Sequence, residues 1–599
     1  MRPFTVCLVV PLVALGCGGE ETTGTEQSSP CEPPGFVVPS GACVFPGVPP
    51  GGCGVGFVHD GRGGCVAVLP PEPCPGGMIA VPGDETCREV SPCGEGRWGD
   101  IPVDSTTEHV DASYGETDSD GSAERPWPTI GQAVGAAAPE ALVAVAAGSY
   151  AEDVVLAKAV TLWGKCPAEV ELVGQGQQRA ALMIGPAATG AEVRGLAVTG
   201  SDRGIEVSEA VALLDQLWIH DTGLIGIVAI GEVAPAELDI RDSLIEGAGD
   251  RSVTILDDVA VTVDRCLFRD EVITGSLQTA GLGIYDYGAG TLQINRSVLE
   301  RHLSVAVVAI NAGLQVQDTV VRDLTVDPGR MSGVGLWVAS NAPFGAPAQG
   351  AVRGSVIERV DRSGIYVAGA SVSIERTSVR DIDGRSAGLL GLGIAATADP
   401  SGEPRAGLSV QASIIERANG VGLATNGADV IVASTILRDM LSGEHSLGSA
   451  MELSPHRPSG QRTVGTVDQC LIQGAVVDGI YVLGSDVMVT ATVIDSVAQA
   501  DDMYGDGISS VFKDGPATVW VHDAIVGRCG RAGITSFGGE VWMSAVRLDC
   551  NPIQMNGEPG STGFGFHDEG GNWCGCGQDE ETCQILSTSL EPPPELPPL

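Results

Sequence analysis

Lysine is almost missing from this chain, standing only at positions 158, 165 and 513. Asp plus Glu outnumber Lys plus Arg by 76 to 33, for a formal net charge of −43. A nucleic-acid binder needs a basic footprint, so that function class is excluded. Aromatics are only 4% of residues, and strong helical patterns are nearly absent. No GxSxG, P-loop or HExxH signature occurs. His220, His302, His445, His456 and His522 are scattered, and each reads as a surface residue rather than a ligand. What the chain does hold is 84 glycines and 37 prolines, a composition that suits many short strands joined by tight turns.

A repeat organises those strands. It reads VDRCLFRD (263–270), INRSVLER (294–301), VQDTVVRD (316–323), VRGSVIER (352–359), IERTSVRD (374–381), VQASIIER (410–417) and VASTILRD (432–439). Endings alternate between RD and ER, and spacings alternate short and long, so the unit is about 55 residues holding two turns. Such self-similarity is the signature of a solenoid.

In register, one column is always small: Ser243, Cys266, Ser297, Thr319, Ser355, Thr377, Ser413, Thr435, Cys470, Thr492, Ala524, Ala545. Two residues on, Ile245, Phe268, Leu299, Val321, Ile357, Val379, Ile415, Leu437, Ile472, Ile494 and Val526 form an apolar core ladder. Two charged columns follow. One runs Arg269, Glu300, Arg322, Glu358, Arg380, Glu416, Arg438, and the other Asp270, Arg301, Asp323, Arg359, Asp381, Arg417, Asp439. Like charges stacked in successive coils would repel, so alternation predicts two exposed ion ladders forming a checkerboard.

The start, MRPFTVCLVVPLVALGC, reads as an export signal: Arg2 supplies the positive end, and Val6 to Leu15 an apolar core too short to span a bilayer stably. Ala14-Leu15-Gly16-Cys17 resembles a bacterial lipobox with Leu displaced by one position. That implies cleavage before Cys17, its lipidation, and an outer-membrane or cell-surface location held by the lipid alone. The alternative is an ordinary secretory peptide with an incidental Cys. Residues 18–30 read as a flexible tether.

Export predicts an oxidising compartment. Within a Cys-rich stalk over 31–100, three hairpin-like segments suggest Cys31–Cys43, Cys53–Cys65 and Cys74–Cys87, with bridging between repeats the alternative. Cys93 could pair with Cys166, and Cys529, Cys550, Cys574, Cys576 and Cys583 would form one or two bridges at the far end.

Residues 110–174 resemble the start of right-handed parallel β-helix proteins of the pectin-lyase-like superfamily. The resemblance lies in Asp118-Ser119-Asp120-Gly121, Arg125-Pro126-Trp127-Pro128-Thr129-Ile130 and Ala147-Gly148-Ser149-Tyr150-Ala151-Glu152. It implies an all-β, right-handed parallel β-helix solenoid whose open end is capped, within 101–141, by a short helix. Thr129 would be its N-cap, with Ile130, Ala133, Val134 and Ala137 on one face. About 16 coils would follow over 142–570, a rod near 80 Å at ~4.8 Å per coil. A Cys-containing cap and an extended Pro-rich tail would close the chain over 571–599.

Every second coil carries a longer loop, so those loops should stack into a ridge beside a groove. In the resembled superfamily such grooves bind extended polysaccharides. Tyr285, Asp286 and Tyr287 offer aromatic faces beside a carboxylate, and Trp337 lies on an equivalent strand. Asp501, Asp502 and Asp506 could hold Ca²⁺, with a solvated acidic turn as the alternative, and His567, Asp568 and Glu569 cluster at the last coil. Polygalacturonases of that superfamily use paired Asp motifs with Gly-His-Gly and Arg-x-Lys segments, none of which occurs here. No certain cofactor is implied. The sequence therefore reads as a single-chain carbohydrate-binding or adhesive rod without catalysis. A polysaccharide lyase or glycoside hydrolase working in the ridge groove is the alternative, and a structural spacer the third reading.

Overall fold

The computed structural model describes residues 31 and 35–596, apart from 273–280, 325–332, 342–345, 385–389, 400–402, 443–447, 501–503 and 560–562. Each coil supplies one short strand to each of three parallel faces, here called sheets A, B and C. One coil shows the plan: Leu282–Tyr287 in A, Thr291–Asn295 in B and Val298–Glu300 in C. The next repeats it with Val305–Ile310, Gly313–Gln317 and Val320–Arg322, each parallel to its predecessor. A and B merge where Ile225–Arg241 and Arg251–Asp264 run continuously around the corner between them. The fold is a parallel β-helix.

Sequence period dictates which residues fill it. The apolar ladder from Ile245 to Val526 points inward and is fully buried. The small column beside it is a hydrogen-bonded hydroxyl ladder. The Ser297 hydroxyl donates to Asn295 O at 2.7 Å and accepts the Cys266 N–H from the coil before at 3.0 Å. Thr319, Ser355, Ser413 and Thr435 accept in the same way, so buried backbone donors stay paired. At the end of the column the slot belongs to Val546 rather than Ala545, because Ile525 pairs with Arg547 and Val526 with Leu548.

The RD and ER endings mark corners. Asp270, Arg301, Asp323, Arg359, Asp381, Arg417 and Asp439 all take positive φ, between 52° and 62°. Their charges form a staircase rather than two separate ladders. Glu300 takes Arg322 at 2.7 Å, Glu358 takes Arg380 at 2.6 Å, and Glu416 takes Arg438 at 2.6 Å. One coil out of step, Arg301 reaches Asp270 at 2.7 Å, Arg359 reaches Asp323 at 2.5 Å, and Arg417 reaches Asp381 at 2.6 Å. Arg301, Arg359 and Arg417 also bridge sideways to Glu300, Glu358 and Glu416, joining the steps.

The ion network is not simply exposed, and the Cys-rich segment is not a stalk. It lies as a strap along sheet C. Val48, Phe57, Ile79, Val81 and Val90 pack on Leu244, Leu267, Val298, Val320 and Val356. Arg269, 1% exposed, donates to Cys74 O at 2.7 Å and Pro75 O at 3.0 Å, and Arg438 donates to Arg62 O at 2.8 Å. The three hairpins are closed by Cys31–Cys43, Cys53–Cys65 and Cys74–Cys87. Cys93–Cys166 ties the strap to an early coil. Small hairpins cannot bury enough surface alone, and the rod supplies the missing apolar face. At the far end Cys550–Cys576 and Cys574–Cys583 staple the last coil, while Cys266, Cys470 and Cys529 are buried thiols.

The first coil is closed by the helix Ile130–Ala136. Thr129 caps it, accepting the Gln132 N–H at 3.3 Å, and Glu152 accepts the N–H groups of Ile130 and Gly131 at 2.7 and 2.8 Å. Ile130, Ala133 and Val134 are buried over the open core.

Candidate functional site

Sheet A carries aromatic residues outward in one register column: Tyr285, Val308, Trp337 and Tyr366 lie in successive coils. Arg251 places its guanidinium 4.7 Å from the Tyr285 ring centroid, and Tyr285 and Tyr287 lie parallel at 6.5 Å. Trp337 meets Tyr366 edge-on at 5.8 Å. Tyr285, Trp337 and Tyr366 sit with Leu282, Val305 and Val334 in an apolar patch on the outer face.

Asp286 does not belong to that patch. Alternation from inward Ile284 turns it inward as well, between Ile255 and Ala309. It is fully buried, neither oxygen has a partner, and burial pushes its carboxyl up to about 8. It is a neutral core group, not a ligand for solvent-borne molecules. His302 is also buried, not a surface residue: its Nδ1 lies 2.5 Å from Glu271, whose other oxygen accepts the Ser252 hydroxyl.

Further along sheet A the same face turns acidic. Asp478 and Asp506 are register partners in adjacent coils, and Glu452 is the partner of Tyr481 one column over. The Ser509 hydroxyl donates to Asp478 at 2.5 Å and approaches Asp506 at 3.4 Å. Asp506 is held by Arg531, with Nε–Oδ1 at 2.9 Å and a second contact from Nη2, and by the Ala532 N–H at 3.2 Å. Arg531 also donates to Asn556 at 2.7 Å and Thr535 at 3.0 Å. Asp506 is thus committed to an ion pair rather than offered to a cation, and Asp501 and Asp502 lie outside the described residues. Burial pushes Glu452 up to about 8 and holds Asp478 well above the usual carboxylate range, with the Asp506 charge adding to the latter. Each keeps one buried oxygen without a partner.

Sheet B holds the most open aromatic face. Ile431, Thr466, Met488, Trp520, Trp542 and His567 occupy one outward column in successive coils. Ile431 is 54% exposed, Met488 49% and Trp520 39%. Trp542 stacks on His567 at 3.9 Å and 15°, and His567 Nε2 lies 2.7 Å from Glu540. His522, beside Trp520, is 2.7 Å from the Ser544 hydroxyl. Asp568 accepts Gly570 N–H at 2.8 Å and Asn572 Nδ2 at 2.6 Å, so it shapes the closing turn. Reading the sequence by period two would have found the tryptophans: in VWVH and VWMS the valines and methionine point inward and the ring outward.

No family model matches the chain, and no curated protein matches it. Among solved structures it is similar to the catalytic domain of a GH87 alpha-1,3-glucanase in complex with tetrasaccharides, at 11% identity and TM-score 0.30, covering 81% of this chain and 71% of that one. It is similar to the A-module of mannuronan C-5 epimerase AlgE6 of Azotobacter vinelandii, at 12% and 0.30, covering 75% and 95%. It is also similar to pectate lyase Pel9A, at 13% and 0.26, covering 62% and 76%. These likenesses carry no argument about chemistry.

Proposed function

We propose that this protein is a carbohydrate-binding rod, anchored to the outer surface of a cell through lipidated Cys17, that holds an extended neutral polysaccharide along sheet B. The observation that carries the reading is the outward column of Trp520, Trp542 and His567, one ring per coil, with Trp520 exposed and the other two half-buried. Rigid rings on a flat sheet lose little entropy on binding; Trp520 offers open ring surface to the C–H face of a sugar, while one face of Trp542 is covered by His567. From Ile431 to His567 the column spans five coil steps, ~24 Å at ~4.8 Å each, which suits an extended chain. Glu540, His522 and Ser544 border the rings with hydrogen-bonding groups. The net charge of −43 disfavours an acidic glycan.

Trp520→Ala and Trp542→Ala should each weaken binding to neutral polysaccharides by ~30-fold, the scale of a central aromatic anchor. Binding isotherms on a panel of soluble and insoluble glycans measure this. A double variant that binds like the parent sinks the reading.

A second reading places polysaccharide cleavage at Glu452 and Asp478, which lie buried beneath residues 590–596, so a glycan reaches them only when that segment leaves. Carboxylic acids kept protonated at neutral pH can donate a proton to a glycosidic oxygen. On this reading Glu452→Gln and Asp478→Asn lower the release of reducing ends by 10²–10⁴-fold. If the parent releases none from any glycan in the panel, the acid pair serves no such reaction.

A further inference from the structure

The acid face of sheet A is covered by the chain itself. Residues 590–596, Leu-Glu-Pro-Pro-Pro-Glu-Leu, run back along its outer surface toward earlier coils. Leu590 enters a socket made by Tyr481, Leu483, Val511 and Phe537. Leu596, 7% exposed, enters a second made by Leu392, Ala395, Val421 and Ala424. The second socket exists because two alanines occupy the column that holds Trp337 and Tyr366 in the coils before and Glu452 and Tyr481 in the coils after.

Between the sockets the face reads backbone and charge. Tyr504 donates its hydroxyl to Pro592 O at 3.4 Å, and Tyr481 donates to Pro593 O at 3.2 Å. The Leu596 N–H donates to Glu452 at 3.4 Å. Lys513 meets Glu595 at 2.6 Å, and Arg457 grips the same carboxylate. Prolines have no N–H to add to a sheet edge, so this segment lies over the face rather than beside it. Three in succession hold it extended before it docks, which lowers the entropy lost on binding. It is tied at its start. Glu558 accepts the N–H groups of Thr588 and Ser589 at 2.6 and 3.1 Å and the Ser587 hydroxyl at 2.7 Å, just before the docked stretch begins.

We propose that this face of sheet A is a peptide receptor, filled in cis by residues 590–596 and able to accept the same segment from a second copy of the chain. Two apolar sockets, two tyrosyl donors aimed at prolyl carbonyls and a cationic clamp on one glutamate form a complete recognition set for an extended, acidic, proline-rich strand. This surface is separate from the tryptophan column on sheet B, and the two proposals stand or fall independently.

The test uses the full chain with Leu590→Asp and Leu596→Asp, which eject the tethered segment, and a fluorescent peptide spanning residues 587–599. Anisotropy should show the peptide binding the double variant and not the parent, whose tethered copy competes at an effective concentration on the order of millimolar. A peptide carrying Leu596→Asp should bind about a hundredfold more weakly. A peptide with Glu595→Arg should lose affinity and regain it on a double variant that also carries Arg457→Glu. A folded double variant that ignores the peptide overturns the proposal. Should the double variant lose its last coils, hydrogen exchange on the parent decides. Amides of Glu591, Glu595 and Leu596 must exchange well ahead of those in 532–537. Exchange in step with that strand makes the segment a fixed part of the rod and overturns the proposal.

Discussion

Replacing Asp286 by valine should stabilise the rod at pH 8 and remove a large part of its pH dependence. The side chain points into the core of sheet A, is fully buried, and has no partner on either oxygen. Its carboxyl sits near 8 in the fold against an ordinary value of 3.8. The folded state therefore holds a proton that the unfolded state releases at neutral pH. A raised folded value gives stability that is complete below about pH 4 and is lost as pH climbs to about 8. A shift of that size corresponds to something on the order of 6 kcal/mol across the window. Valine fits a column that already holds Val207, Ile255, Val338 and Val367, so it removes the cost without leaving a large void. Glu452, also pushed up to about 8, and Asp478, held well above the usual carboxylate range, leave a further dependence of the same sign. Asp286→Asn isolates the titration: it should flatten the profile while leaving a buried polar group to be satisfied. Urea unfolding at pH 5 and pH 8 measures all three chains. Parallel profiles for the parent and Asp286→Val would contradict the argument.

The same residue shows where sequence reading succeeds and where it stops. Coil plan, core ladder and corner charges are local: each follows from period two and from a repeat that places Phe268 and its equivalents at a fixed offset. Asp286 was legible by that logic, since Ile284 points inward and Asp286 must follow, but flanking tyrosines made it look like part of an exposed trio. Trp520, Trp542 and Glu452 were legible too, each standing one step from a buried Val or Met. The strap and the tail were not. Ser40 meets Asp523 across 483 positions, and Tyr481 meets Pro593 across 112. No periodicity links such residues. Only the finished rod presents the apolar column on sheet C that the hairpins cover, or the paired alanines that receive Leu596. The Asp506 reading failed for a related reason. Its partner, Arg531, arrives from the next coil, so a carboxylate that looked open to a cation already holds a cation of the chain's own.

That pair yields the other large effect. Arg531→Met should cost 3–5 kcal/mol at neutral pH, the scale of breaking a buried ion pair by removing one partner. Asp506 is fully buried and Arg531 is 8% exposed. Without the guanidinium, Asp506 keeps its contacts with Ser509, Thr535 and the Ala532 N–H, and faces Asp478 directly. Burial already pushes the Asp506 carboxyl up, and Arg531 is the largest opposing influence. Its loss raises that carboxyl further, so the folded variant takes up a proton that the unfolded chain does not hold at neutral pH. The penalty must then shrink as pH falls and grow as pH rises. Restoring apolar balance with Asp506→Leu in the Arg531→Met background should recover most of the loss, because the pair is paid for in desolvation of both charges. A double-mutant cycle by urea unfolding at pH 5 and pH 8 measures the coupling. If Arg531→Met costs the same at both values, or if the double variant is no better than the single, the two side chains do not depend on each other as the geometry requires.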